Sequence, residues 1–105
     1  MASGKLGSAD LTATTNTLLY TVPYSSLATL NIRVANRNSS AIKVRIAIGT
    51  GGAPAAADYI DYDVSVDAGG ILEDTGIVCG AGEKVWAYSS MAGVSVRVHG
   101  FEEAA

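Results

Sequence analysis

The chain holds one histidine, His99, and one cysteine, Cys79, so acid–base or nucleophilic chemistry would have to be built on these two or on serines and carboxylates. A hydrolytic triad needs a base beside its nucleophile, and no G-x-S-x-G elbow occurs. His99 falls out of phase with Val94, Val96 and Val98, which puts it on the outward face of a strand as a surface or interface histidine. Cys79 lies between Ile77-Val78 and Gly80, the setting of a buried small hydrophobe rather than of an activated thiol. Asp58, Asp61 and Asp63 are oxygen donors without the regular spacing of a calcium loop, and they read as a solvated or salt-bridged strand face. Gly49-Thr50-Gly51-Gly52 lacks the Lys-Ser/Thr ending of a phosphate loop and reads as a linker. Asn38-Ser39-Ser40 matches a glycosylation acceptor, but no signal peptide accompanies it. The expectation is a protein that is not an enzyme and carries no cofactor and no metal.

Charge is less evenly spread than chance would leave it. Arg33, Arg37, Lys43 and Arg45 gather in one stretch, while Asp58, Asp61, Asp63, Asp67, Glu73 and Asp74 gather in another. On adjacent strands of one sheet these groups would form cross-strand pairs worth about 0.2–1 kcal/mol each. On opposite sides of the molecule they would make a head-to-tail surface able to order copies around a ring or lattice.

The elements that must carry these side chains follow from alternation. In Ala28 to Gly49, Ala28, Leu30, Ile32 and Val34 alternate with Thr29, Asn31, Arg33 and Ala35, and Ile42, Val44, Ile46 and Ile48 alternate with Lys43, Arg45 and Ala47. A period of two, twice over, with Asn36-Arg37-Asn38-Ser39-Ser40 between the runs, predicts one long β-hairpin whose aliphatic face needs a second sheet to cover it. Leu18 to Val22 is a short strand closed by Pro23, at an edge or a strand end. Tyr59 to Val66 alternates again, with Ile60, Tyr62, Val64 and Val66 on one face and Asp61, Asp63 and Ser65 on the other. Ile71 to Cys79 is a strand interrupted at Gly76, where a bulge or a close backbone contact is expected in place of a regular ladder. Lys84 to Ser89 carries Val85 and a core Trp86, and Val94 to Phe101 ends the series with Ser95, Arg97 and His99 outward. No stretch has the helical spacing of apolar residues, so the predicted fold is all-β, a single antiparallel β-sandwich of about seven or eight strands, jelly-roll or immunoglobulin-like. Residues 1–17, small and polar, read as a flexible N-terminal arm preceding a sandwich domain over 18–103.

The totals agree with one domain. A chain of 105 residues can bury a sizeable core, and a charged fraction of 16% is well under the usual quarter, as for a surface partly covered by other subunits. The net charge of −3 gives no general attraction to nucleic acid, a single cysteine excludes a disulfide framework, and no apolar run is long enough for a signal peptide or a membrane-spanning helix. Synthesis in a reducing cytoplasm is expected.

Five segments taken together, Leu19-Tyr20-Thr21-Val22-Pro23, Ala35-Asn36-Arg37-Asn38, Ala47-Ile48-Gly49, Tyr59-Ile60-Asp61-Tyr62 and Val96-Arg97-Val98-His99-Gly100-Phe101, resemble a group of small virion structural proteins of tailed bacteriophages, over about Leu18 to Glu103. The resemblance implies a particle component: a capsid decoration or cement protein, or else a neck, tail, baseplate or fibre part. Its partners would be the major capsid protein or other virion proteins and copies of itself, as a homo-oligomer, a trimer or larger ring, located in the virion, with no nucleic acid and no membrane. A flexible arm lying across a neighbour and five tyrosines suit a cement role. The expected interface residues are Lys5, Leu6, Leu11, Arg33, Arg37, Lys43, Arg45, Asp61, Asp63 and Arg97. The competing expectation is a glycan- or partner-binding module, with Tyr24, Trp86 or Tyr88 exposed at one end as a stacking platform.

Overall fold

The computed structural model describes residues 2–105. Eight strands follow in order: β1 (Ser3–Asp10), β2 (Thr17–Thr21), β3 (Ser26–Asn36), β4 (Ile42–Gly49), β5 (Tyr59–Val66), β6 (Ile71–Cys79), β7 (Lys84–Ser89) and β8 (Val94–Ala104), with one 3-10 turn at Ala56–Asp58. They form two antiparallel four-stranded sheets, β1-β8-β3-β6 and β2-β7-β4-β5. Consecutive strands lie in opposite sheets except for β4 and β5, which are hydrogen-bonded neighbours. That strand order is the double Greek key of a jelly roll. The all-β sandwich expected from alternation is thus the fold.

The long hairpin is a correction. β3 and β4 do not pair, because β3 lies between β8 and β6 in the first sheet and β4 between β7 and β5 in the second. Both runs carry an aliphatic face, and placing them in facing sheets lets those faces bury one another, where a hairpin would have left both needing a third partner. Ala28, Leu30, Ile32 and Val34 of β3 pack in one core with Ile42, Val44 and Ile46 of β4, joined by Val85, Val94, Val96 and Val98. The crossing is held by Asn36, buried at 2% exposure. Its side-chain amide donates to the carbonyls of Ser40 (2.9 Å), Val66 (3.1 Å) and Asp67 (3.0 Å), and its Oδ1 accepts from the Asn38 N–H at 2.9 Å.

Residues 2–17 also depart from the expected arm, whose residue 1 lies outside the described residues. Ser3–Asp10 is an edge strand on β8 rather than a free arm, and Leu11 is buried at 2% exposure with Leu6 packed against the core. Few of its residues favour strands by type, so tertiary contacts supply what propensity does not. At Gly7 an added Cβ would come within 2.1 Å of the Leu19 carbonyl oxygen, so β1 and β2 touch there and close one side of the sandwich. On the same side the Tyr20 hydroxyl donates to Glu102 Oε2 and the Ala2 N–H donates to Glu102 Oε1 at 3.2 Å. The opposite side is bounded by the free edges of β5 and β6.

Candidate interaction face

Alternation along β7 turns Val85, Ala87 and Ser89 inward and leaves Lys84, Trp86 and Tyr88 on the outer face of the second sheet. Trp86, expected in the core, is therefore half-buried on the surface. The ladders place Leu18, Trp86, Ala47 and Tyr59 in one row across β2, β7, β4 and β5, and Tyr88 beside Arg45 in the next. Ala47 retains 1% exposure in that row, a small residue between two rings.

Arg45 organises the face. Its guanidinium carbon lies 4.3 Å from the Tyr62 ring centroid and 4.4 Å from that of Tyr88, so the cation is stacked between two aromatic faces. Its Nε donates to Asp63 Oδ1 at 2.6 Å, and Tyr59 stands edge-on to Tyr62 at 5.0 Å. The hydrogen bond to Arg45 holds the Asp63 carboxyl below the usual carboxylate range and raises the guanidinium further above neutrality. Asp63 has a positive φ of 53°, sparsely populated for a non-glycine residue. The bulge containing it re-aims its strand: Ile60 and Tyr62 face outward while Asp61 faces inward, the reverse of simple alternation. Tyr62 at 58%, Ile60 at 48% and Leu18 at 45% exposure extend the apolar surface.

Two pairs join the charge clusters within the molecule: Arg33 Nη1 lies 3.4 Å from Glu73 Oε2, and Arg45 pairs with Asp63. Arg37 Nη2 lies 2.5 Å from Asp10 Oδ1, tying β1 to the β3–β4 crossing. Arg97 stands directly opposite Arg33 on the outer face of the first sheet, beside a shallow hollow of about 410 Å³ floored by Ala35 and Ser95. Lys5 stands opposite His99, and Lys43 is exposed at the start of β4. Of the ten expected interface residues, Arg45 and Asp63 pair on the aromatic face and Lys43 shares that side of β4; Leu6 and Leu11 pack against or within the core, and Asp61 faces inward.

Cys79 is buried with no exposure, as expected, and burial pushes its thiol up to about 11. His99 Nδ1 is buried without a hydrogen-bond partner among the described residues, on the outward side of β8. Among the described residues no three His, Cys, Asp or Glu side chains converge as metal ligands.

Compared with protein-family models, with curated proteins and with solved structures, the chain finds no match. Function has to be argued from the faces themselves. The tyrosines, tryptophan and arginine were legible as residues; their assembly on one face was not, although counting outward from Val85 places Trp86 and Tyr88 together. The face is aromatic and stiffened by a charge-assisted bond, which suits it to take a partner surface by stacking and hydrogen bonding.

Proposed function

We propose that this protein is a structural, non-enzymatic component of a bacteriophage virion, a capsid decoration or cement protein that stabilises the shell through subunit contacts. The aromatic–arginine face of the second sheet is the contact surface. The observation that carries this reading is the stacking of Arg45 between Tyr62 and Tyr88 beside Trp86 and Tyr59, on a face where solvent would ordinarily select polar side chains. Aromatic residues and arginine are the types enriched in protein interfaces. The sequence resemblance to small virion proteins adds to this, and so, by fold-level analogy, does the jelly roll, an architecture used in viral shells. The partner is the major capsid protein or another virion protein, with copies of the same chain as neighbours in a trimer or larger ring.

The test is reconstitution. Particles lacking the protein are mixed with purified wild type or with a Tyr62→Ala/Trp86→Ala variant that retains its far-ultraviolet spectrum, and occupancy is read by electron microscopy. Wild type is expected to fill its sites and the variant to leave them largely empty. Equal occupancy by both would remove the face from the contact.

A second reading, a glycan-binding module of a neck, tail, baseplate or fibre, is favoured by one observation. Trp86 and Tyr88 project from alternate positions of one strand, a spacing that sugar rings can span by stacking. Glycan-array binding by the isolated protein, lost in a folded Trp86→Ala variant, would support this reading over the first.

A further inference from the structure

The two sheets meet again on the side away from β1 and β2, where the edge strands β5 and β6 each carry one aspartate into the rim of the core. On β6, Leu30↔Ile77 is followed by Ile32↔Asp74, so β6 uses three residues where β3 uses two. On β5, Val44↔Val64 is followed by Ile46↔Asp61, again three residues against two. Both extra residues sit at a positive φ or beside one, Asp63 at 53° and Gly76 at 66°. Two bulges at corresponding levels therefore turn Asp61 and Asp74 into positions opposite Ile46 and Ile32, whose side chains are fully in the core. Oδ2 of each aspartate is buried and has no hydrogen-bond donor among the described residues.

Two carboxylates in that position repel and lack donors, whereas one carboxylic acid and one carboxylate share a hydrogen bond. We propose that Asp61 and Asp74 form a proton-held latch that ties the free edges of β5 and β6 together and loosens as the proton is lost. Burial, the hydrogen bond to Asp61 and its charge push the Asp74 carboxyl up to about 7. The surrounding charges face elsewhere. Glu73 on β6 pairs with Arg33 of β3, and Asp63 on β5 pairs with Arg45 of β4. Asn31 of β3 spends its Oδ1 on the Gly76 N–H. The neighbouring charge that raises Asp74 is that of Asp61. Opening this side would bare two strand edges flanked by exposed Ile60, Ile71 and Val78, an adhesive surface.

The experiment is carboxyl-carbon NMR titration together with amide hydrogen exchange on the full chain in EDTA, comparing wild type with Asp74→Asn, whose amide donates to Asp61 at every pH. In wild type one carboxyl of the pair is expected to titrate near 7. Protection of β5 and β6 amides, relative to β3 and β8 and corrected for intrinsic rates, is expected to fall by about 5- to 30-fold in all between about pH 4 and 7. Asp74→Asn is expected to keep that protection flat. Both wild-type carboxyls titrating in the ordinary carboxylate range would overturn the latch, as would equal pH slopes in wild type and variant. Should Asp74→Asn fail to fold, Asp61→Asn replaces it, and the wild-type titration alone still decides the outcome.

Discussion

Cys79 shows how burial fixes reactivity at a single residue. It lies opposite Ala28 in the β3–β6 ladder, with no exposure, and its thiol is pushed up to about 11, chiefly by desolvation and secondarily by Glu83. Since the thiolate is the reactive form, a thiol-specific disulfide reagent is expected to leave the native protein unmodified near neutral pH and to titrate one thiol once denaturant unfolds it. Fast stoichiometric labelling of native protein would contradict that burial. Arg45 shows the complementary case on the surface. Lysine keeps its charge but not its plane, so Arg45→Lys is expected to lose the stacking on Tyr62 and Tyr88, read as changed tyrosine ring chemical shifts with the fold retained. Unchanged ring shifts would mean that charge alone organises the face.

At the scale of elements, alternation reported which face each strand buries and was silent about which strand it pairs with. In β3, β4 and β8 the aliphatic residues Ala28 to Val34, Ile42 to Ile46 and Val94 to Val98 turn inward at alternate positions, in agreement with a period-two reading. β3 and β4 cross between sheets because that buries their aliphatic faces against one another, and the crossing is fastened by Asn36, whose hydrogen bonds run to carbonyls as far away as Val66 and Asp67. No local pattern announces such a role. β1 was hidden for the opposite reason: its glycine, serine and alanine residues carry little strand propensity, and the edge of β8 and the close approach at Gly7 define it. The inward turn of Asp61 depends on a bulge that alternation cannot see. Two expected outcomes test these elements. Asn36→Ala leaves three carbonyls without that donor and is expected to cost about 2–3 kcal/mol in urea unfolding, with an unchanged slope. Gly7→Ala forces a Cβ onto the Leu19 carbonyl and is expected to cost about 1–3 kcal/mol, with faster hydrogen exchange confined to β1 and β2. Wild-type exchange in β1 of the variant would show that the strand does not need this contact.

For the molecule as a whole, two sets of ionisable contacts, Glu102 and Asp63 in one and the Asp61–Asp74 pair in the other, respond to pH in opposite directions. On the β1–β2 side, the Tyr20 hydroxyl and the Ala2 N–H hold the Glu102 carboxyl below its ordinary 4.5, so the native state binds fewer protons than the unfolded chain. Its stabilisation is present above the unfolded value and is lost as pH falls through the lower folded one. Asp63, held down by Arg45, has the same sign. On the β5–β6 side, Asp74 moves from 3.8 to about 7, so the native state binds the extra proton. Its stabilisation is complete below about 3.8 and disappears as pH rises toward about 7. A shift of that size corresponds to about 4 kcal/mol for a wholly buried group, reduced to the order of 1–2 kcal/mol by the solvent reaching this one. The two signs together place the stability maximum between about pH 4 and 5, with a decline to about pH 7 and a plateau above it, where Asp74 is ionised in both states. Urea midpoints taken from pH 3.5 to 8.5 are expected to trace that dome-and-shelf curve in wild type and to lose the decline on the neutral side in Asp74→Asn. A midpoint that climbs steadily from pH 4 to 8 in wild type would mean that the acid-sensitive contacts of Glu102 and Asp63 govern the whole molecule and that the Asp61–Asp74 pair contributes nothing to its pH response.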